Sequence, residues 1–261
     1  MLCSRYRPQV RGIADMPDPL YSKARVIAEP PARVVRRWLA AGWADLRRNL
    51  GYSLCYGCAL VLLGWLAVWL LAATGTGWML LPLLAGGVLV GPVATVGLYT
   101  VARGRSEVAS KGQIALVGAI LMVFALTWIR AATVLFAIVY GLRPFAGFIE
   151  TLVLMISTPA GWMLLISGSL TGGLFAALGF AVSAFSLPML VERRIDGFSA
   201  MGLSFNAATH NFRLSVWWGA AITLLTGLGV LTGLLGLAII FPLLGYATWH
   251  AYADLFHGEA R

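Results

Sequence analysis

The sequence predicts an all-α, polytopic membrane protein. The expected fold is a bundle of six transmembrane helices with a cytoplasmic amphipathic N-terminal helix and a parallel internal repeat. Three observations lead there. First, the 200 residues from Ser53 to Tyr252 hold only twelve charges. Second, the chain is 60% hydrophobic and 11% charged, with a mean hydropathy of +0.85, whereas soluble domains carry about 25% charged residues. A water-soluble chain of 261 residues could not cover its surface with so little charge. Third, the apolar runs are about 20 residues long, as a hydrocarbon core of about 30 Å requires of a helix. Ten tryptophans and thirty glycines fit the same setting. Trp anchors interfaces, and Gly lets membrane helices approach closely.

Residues 1–31 hold the prolines Pro8, Pro17, Pro19, Pro30 and Pro31 and no apolar period. They read as a disordered cytoplasmic tail, with Pro30-Pro31 marking a helix start. They do not read as a signal peptide, since no apolar core follows the early arginines. The membrane domain then runs from residue 32 to 261. Over 32–51, Val34, Val35, Trp38, Leu39, Gly42, Trp43, Leu46 and Leu50 recur at spacings of three and four, with arginines on other faces. That is an amphipathic helix. It can lie on the cytoplasmic membrane surface, apolar side down, or pack as a soluble helix on the membrane domain.

Six spans follow, at about 53–73, 78–101, 114–140, 161–190, 214–230 and 233–252. Gly91-Pro92 should kink the second, and Pro188 lies near the end of the fourth. Residues 216–252 are too long for one span, and the glycines at 227, 229, 233 and 236 allow a turn between spans five and six. The apolar stretch within 145–158 is too short to cross and ends at Thr158-Pro159, so it reads as a helix in the outer interface. Arg and Lys concentrate in the N-terminal segment and the loops at 103–111 and 192–213. The positive-inside bias makes these cytoplasmic, along with both termini. The net charge of +9 is therefore topological, and no nucleic-acid partner is expected.

Asn49, Ser53, Gly57, Ala59, Leu62, Leu63 and Leu66 match Asn211, Ser215, Gly219, Ala221, Leu224, Leu225 and Leu228 at one constant offset. Each match opens a hairpin whose second helix holds a proline, Pro92 or Pro242. Both hairpins start and end on the same side, so the repeat would be parallel.

Six ordered blocks between about Trp38 and Tyr252 resemble the DUF2189 family of predicted bacterial integral membrane proteins. They are DLRRNLGYSLCYG, LPLLAGGVLVGPVATVGLY, WIRAATVLFAIVYG, STPAGWMLLISGS, VSAFSLPMLVERRIDGFSAM and FPLLGYATWHAY. The resemblance implies a six-span protein of the bacterial inner membrane and assigns no activity.

Few residues could carry chemistry. Arg130 lies deep in span three, where a charge costs about 2.5–3.5 kcal/mol on insertion scales. With Arg143 and Glu150 it forms a candidate intramembrane polar group toward the outer side. Its use is either to bind an anion or to clamp the 145–158 segment to span three. A second candidate group is cytoplasmic: Asn49, Asn211, His210 and His250. The two asparagines are related by the repeat and are also suited to cap the helices that follow them. Cys55 and Cys58 form a single CxxC, which supplies too few ligands for a metal site. The three histidines are too scattered for zinc or haem. No nucleotide loop, catalytic triad or metalloprotease helix is present, and no Asp or His sits mid-span to relay protons. No cofactor or metal is expected.

The function expected from these residues is that of a non-enzymatic accessory or assembly subunit of a membrane complex. The alternative is a small homo-oligomeric transporter or permease with an anion site at Arg130. The expected partners are the lipid bilayer and other membrane-protein subunits or further copies of the chain.

Overall fold

The structure is a computed structural model and describes residues 24–75, 80–105, 107–141 and 148–257. The side chains of 81, 82, 85, 88, 89 and 148–152 lie outside that description. The described residues form helices and no strands: α1 (Pro31–Arg48), α2 (Leu50–Ala73), α3 (Leu80–Ala94), α4 (Val96–Arg103), α5 (Lys111–Tyr140), α6 (Phe148–Ser157), α7 (Pro159–Ser183), α8 (Ser186–Glu192), α9 (Gly197–His210), α10 (Phe212–Leu231) and α11 (Leu237–Phe256). Four stretches among them are long and apolar enough to cross a membrane: α2, α5, α7 with α8, and α10.

The other two expected spans differ for physical reasons. The 78–101 run divides into α3 and α4 at Thr95, three residues past Pro92. Proline has no N–H, and its ring crowds the carbonyl one turn earlier. The Thr95 hydroxyl donates to the Pro92 carbonyl at 2.6 Å, across the break. Helix α11 is 20 residues long, but its second half is a buried core element rather than a uniformly apolar one. Tyr246, Thr248, Trp249, Tyr252 and Asp254 are all buried there.

The 161–190 run also breaks, at Ala184-Phe185 and before Pro188. Pro188 then falls in the first turn of α8, where a missing N–H costs nothing. Ser204 of α9 bridges this break: its hydroxyl donates to the Ala181 carbonyl at 2.8 Å and accepts from the Phe185 N–H at 3.1 Å. Asp196 caps α9, accepting from the Ser199 N–H at 2.8 Å.

Helix α1 does not turn its apolar face toward lipid. Val34, Val35, Trp38 and Leu46 are buried, and the helix packs along α11 and α10. The Trp38 and Trp218 rings meet edge-on at 5.6 Å. Gly42 lets the two backbones touch, since a Cβ there would lie 2.7 Å from the Ala247 nitrogen. An apolar stripe gains more from a shape-matched helix groove than from mobile lipid chains, because dispersion contacts need close packing. Of the two placements the sequence allows, the structure has the packed one.

The end of the expected disordered tail also differs. Residues 24–30 form an extended strap: the Arg25 N–H donates to the Leu255 carbonyl at 2.9 Å, and the Ile27 N–H donates to Asn211 Oδ1 at 2.9 Å. The outer segment expected over 145–158 contains α6, which folds back on α7, with Gly161 seated against the carbonyls of Leu154 and Met155.

The helix ends that carry charge lie together. Arg103, ending α4, donates to the carbonyls of Val191 at 2.9 Å and Glu192 at 3.4 Å, the last of α8. Ser110, which opens α5, donates from its hydroxyl to the Arg193 carbonyl at 3.0 Å. Tyr252 of α11 donates to Glu192 Oε2 at 2.5 Å. At this charged end two groups of helices join. One holds α1, α2, α10 and α11, and the other holds α3, α5, α7 and α9.

Candidate functional site

The charged end is organised around three acids. Asp254 is the most buried, with 6% of its side chain exposed. Its Oδ2 accepts from Trp38 Nε1 at 2.9 Å and Arg37 Nη2 at 2.8 Å, and its Oδ1 pairs with the Arg25 guanidinium. Burial pushes the Asp254 carboxyl up, but the hydrogen bonds from Arg37, Trp38 and Arg25 outweigh it and hold the group below the usual aspartate range. The same bond from Asp254 raises the Arg37 guanidinium further. Asp254 was not singled out from the sequence. Its signal was its place in the apolar run AYADLF, two residues beyond the last expected span.

Asp45 of α1 pairs with His250 Nε2 at 2.7 Å. Glu192 receives Tyr252 and pairs with His257 Nε2 at 2.8 Å. Arg193 stacks its guanidinium on the Tyr252 and Phe256 rings, 5.9 and 5.8 Å from their centroids.

The expected cytoplasmic group is divided among these centres. Asn49 and His250 meet through Asp45: Asn49 Nδ2 donates to the Asp45 carbonyl at 3.1 Å. Asn211 binds the strap, with Nδ2 donating to the Arg25 carbonyl at 3.1 Å. His210 hydrogen-bonds through Nδ1 to the Asn206 carbonyl at 2.9 Å. Neither asparagine caps the helix that follows it. Both turn back to the helix before, Asn49 to Asp45 and Asn211 to the Ala207 carbonyl at 3.2 Å. The two positions share one backbone break, with φ −117° and ψ 40° at Asn49 and φ −109° and ψ 41° at Asn211. Continuing the chain directly into a second helix makes the carbonyls of the first the nearer partners.

Arg130 is exposed on α5 and, among the described residues, makes no hydrogen bond or ion pair. Arg143 and the Glu150 side chain lie outside the described residues, so the outer group is represented by Arg130 alone. Cys55 and Cys58 are free and exposed on α2. Among the described residues no three His, Cys, Asp or Glu side chains are grouped for a metal ion.

An apolar cavity is the feature that sequence reasoning missed. Between the two helix groups lies an apolar cavity of about 1750 Å³, walled on one side by α7 and on the other by α10. Gly168, Gly172 and Gly173 line the α7 wall; Ser215, Gly219 and Thr223 line the α10 wall. Toward the charged end the lining includes Thr95, Tyr99 and Thr248. From α5, Trp128 reaches the cavity, and its buried Nε1 has no hydrogen-bond partner. The residues of α2 at the matching sequence offset have different surroundings. On α2, Ser53 and Gly57 are buried against α11. Ser53 Oγ bonds Tyr246 OH at 3.0 Å, and a Cβ on Gly57 would lie 2.8 Å from the Ala238 Cα. Ser215 and Gly219, at the same offset on α10, face the cavity instead.

At the charged end a second pocket, of about 450 Å³, shares Thr209 and Phe212 with the cavity and is bounded by the strap. It includes His210 and Arg213. Among the described residues Arg213 makes no ion pair or hydrogen bond.

The helices on the α7 side of this cavity carry a family signature. Residues 106–192 match DUF2189, predicted integral membrane protein. The resemblance read from the sequence blocks holds over this stretch, one third of the chain. The matched stretch starts five residues before α5 and ends at Glu192, the last residue of α8. Its two ends are the ones that Arg103 and Ser110 fasten together. No curated protein and no solved structure matches the chain.

Proposed function

We propose that this chain is a non-enzymatic six-span protein of the bacterial inner membrane that takes up an apolar guest from within the bilayer. The observation that carries the reading is the cavity of about 1750 Å³ between α7 and α10, well above the range of about 300–1,000 Å³ usual for small-molecule pockets. Water is disfavoured against such walls, because an apolar lining cannot supply the two to four polar partners a buried water needs. Hydrocarbon chains are the surrounding solvent of a membrane protein, so they are the natural occupant. This sides with the carrier alternative drawn from the sequence, but moves its site from Arg130 to the cavity.

The six-crossing count is supported by the return of α4, α8 and α11 to one charged end, which fits three hairpins. The Arg and Lys content of that end supports a cytoplasmic placement for it and for both termini.

The accessory-subunit reading has one observation in its favour. Ser215 and Gly219 repeat the face with which Ser53 and Gly57 receive a helix, so the α10 wall suits a partner's helix equally well. Native mass spectrometry of protein released from its own membrane in mild detergent separates the two. Lipid-mass adducts on the single chain are expected. A stoichiometric protein partner with no retained lipid would overturn the guest-binding reading in favour of the subunit.

A further inference from the structure

We infer that the guest is an anionic glycerophospholipid, its chains in the α7–α10 cavity and its phosphate at Arg213, beside His210. This rests on the guest-binding reading and adds the chemistry of the headgroup. The argument starts from a juxtaposition. The apolar cavity and the smaller pocket share Thr209 and Phe212 in their linings, and the pocket adds charged groups, Glu29 and Arg213, that the cavity lacks. A ligand filling both must be an amphiphile.

The sign of its head follows from the side chains. Arg213 stands in the first turn of α10, exposed, and has no described partner. Guanidinium binds phosphate through paired N–H donors, which makes arginine the favoured residue for such groups. His210 uses Nδ1 on the Asn206 carbonyl. Its Nε2 is then an acceptor, suited to a headgroup hydroxyl rather than to a phosphate oxygen. Glu29 also borders the pocket, but both its oxygens accept from Arg37 Nη1 at 3.1 Å, so its charge is matched. The pocket therefore presents one uncompensated cation, two residues beyond the Asn211 that anchors the strap.

The depth also agrees. Arg213 opens a helix whose remaining length is apolar enough to cross the membrane. That sets the guanidinium at the level of the headgroups, with the cavity running inward from it. Small residues on both walls leave a smooth trough, which suits flexible chains better than a rigid planar guest.

The test uses the full chain in detergent, with phosphatidylglycerol and phosphatidylcholine of identical chains added in competition and adducts read by native mass spectrometry. Phosphatidylglycerol should be preferred. Arg213→Gln should cut that preference about fivefold, as expected for one basic residue near a phosphate, and Arg213→Lys should recover part of it. Arg130→Gln, on an exposed face outside the cavity, should leave it unchanged. Gly219→Leu, which fills the trough, should lower retention of both lipids. Arg213 is exposed, so its variants should keep the wild-type melting temperature. An Arg213→Gln protein with an undiminished preference would overturn the headgroup assignment while leaving the cavity reading standing. Retention of both lipids unaltered by Gly219→Leu would overturn the cavity reading itself.

Discussion

At the scale of single residues, Asp254 is the group on which most of the charged end depends. Three donors from the strap and α1 converge on its carboxylate, which is nearly buried. Replacing one oxygen by NH2 turns a donor toward either Arg25 or Arg37 and Trp38, and removes the charge that both arginines pair with. Hydrogen bonds to charged groups contribute about 1.5–3 kcal/mol each when one partner is removed. The arginines are partly exposed, at 38% and 47% of the side chain, so screening reduces the total. Asp254→Asn should thus destabilise the protein by about 2 kcal/mol, seen as a lower melting temperature in detergent. The pH dependence has a definite sign. The folded-state pKa is depressed, so the contribution is fully present above the unfolded aspartate value of about 3.9 and is lost as pH falls through the lower folded value. Melting temperature should drop as pH falls below about 4 in the wild type and drop less in Asp254→Asn. Parallel curves for the two proteins would show that Asp254 is not the group responsible.

Ser53 makes a sharper, smaller case. It is fully buried, and its hydroxyl both donates to the Asn49 carbonyl at 2.8 Å and meets Tyr246 OH at 3.0 Å. Ser53→Ala leaves the Tyr246 hydroxyl buried without its partner, a loss of about 1–3 kcal/mol. Ser215, at the matching sequence offset on α10, lines the cavity. Ser215→Ala should therefore shift the melting temperature by much less, and equal shifts would contradict the different surroundings described for the two serines.

At the scale of elements, helix existence was legible in the sequence and helix pairing was not. The expected spans at 53–73, 114–140 and 214–230 fall inside α2, α5 and α10 because unbroken apolar runs leave the backbone no other way to satisfy its hydrogen bonds in lipid. The break near Pro92 was legible for the same reason, since proline removes a donor. The break at Ala184-Phe185 was not, because its partner is Ser204, twenty residues on and in another helix. The burial of α1 was half legible. Its apolar stripe was evident, but a stripe has the same period whether it meets lipid or protein. The candidate site was least legible. Two sets of small residues at matching positions look alike in sequence, yet Gly57 touches α11 and Gly219 does not.

That contrast is testable. An added Cβ at Gly57 would overlap the Ala238 backbone, whereas at Gly219 it meets nothing within 4 Å. Overpacking a close contact typically costs about 1–3 kcal/mol. Gly57→Ala should lower stability by about that amount, and Gly219→Ala should be neutral or slightly stabilising through reduced backbone freedom. Thermal melts of the two variants side by side would decide. If Gly219→Ala were the more damaging, the α10 wall would have to be packed against protein rather than open to a guest.

At the scale of the whole molecule, the charged end and the cavity constrain each other. The two helix groups are fastened where the charges lie: Arg103 and Ser110 hold α4 and α5 to α8, and Tyr252 holds α11 to Glu192. A cavity between α7 and α10 can then open from the membrane interior without separating the groups. For its headgroup pocket to meet anionic lipid, that end must sit at a leaflet surface, and under the positive-inside bias its Arg and Lys would put it at the cytoplasmic leaflet. Orientation is thus a prediction of the proposed function as well as of the topology. In a background with Cys3, Cys55 and Cys58 replaced by serine, a cysteine at Gly75, in the turn after α2, should react with an impermeant maleimide added outside spheroplasts. A cysteine at Ser106, before α5, should react only after the membrane is opened. The reverse pattern would put Arg213 at the outer leaflet and remove the reason to expect an anionic lipid there. Reaction of both from outside would break the three-hairpin count, and with it the single charged end toward which the cavity runs.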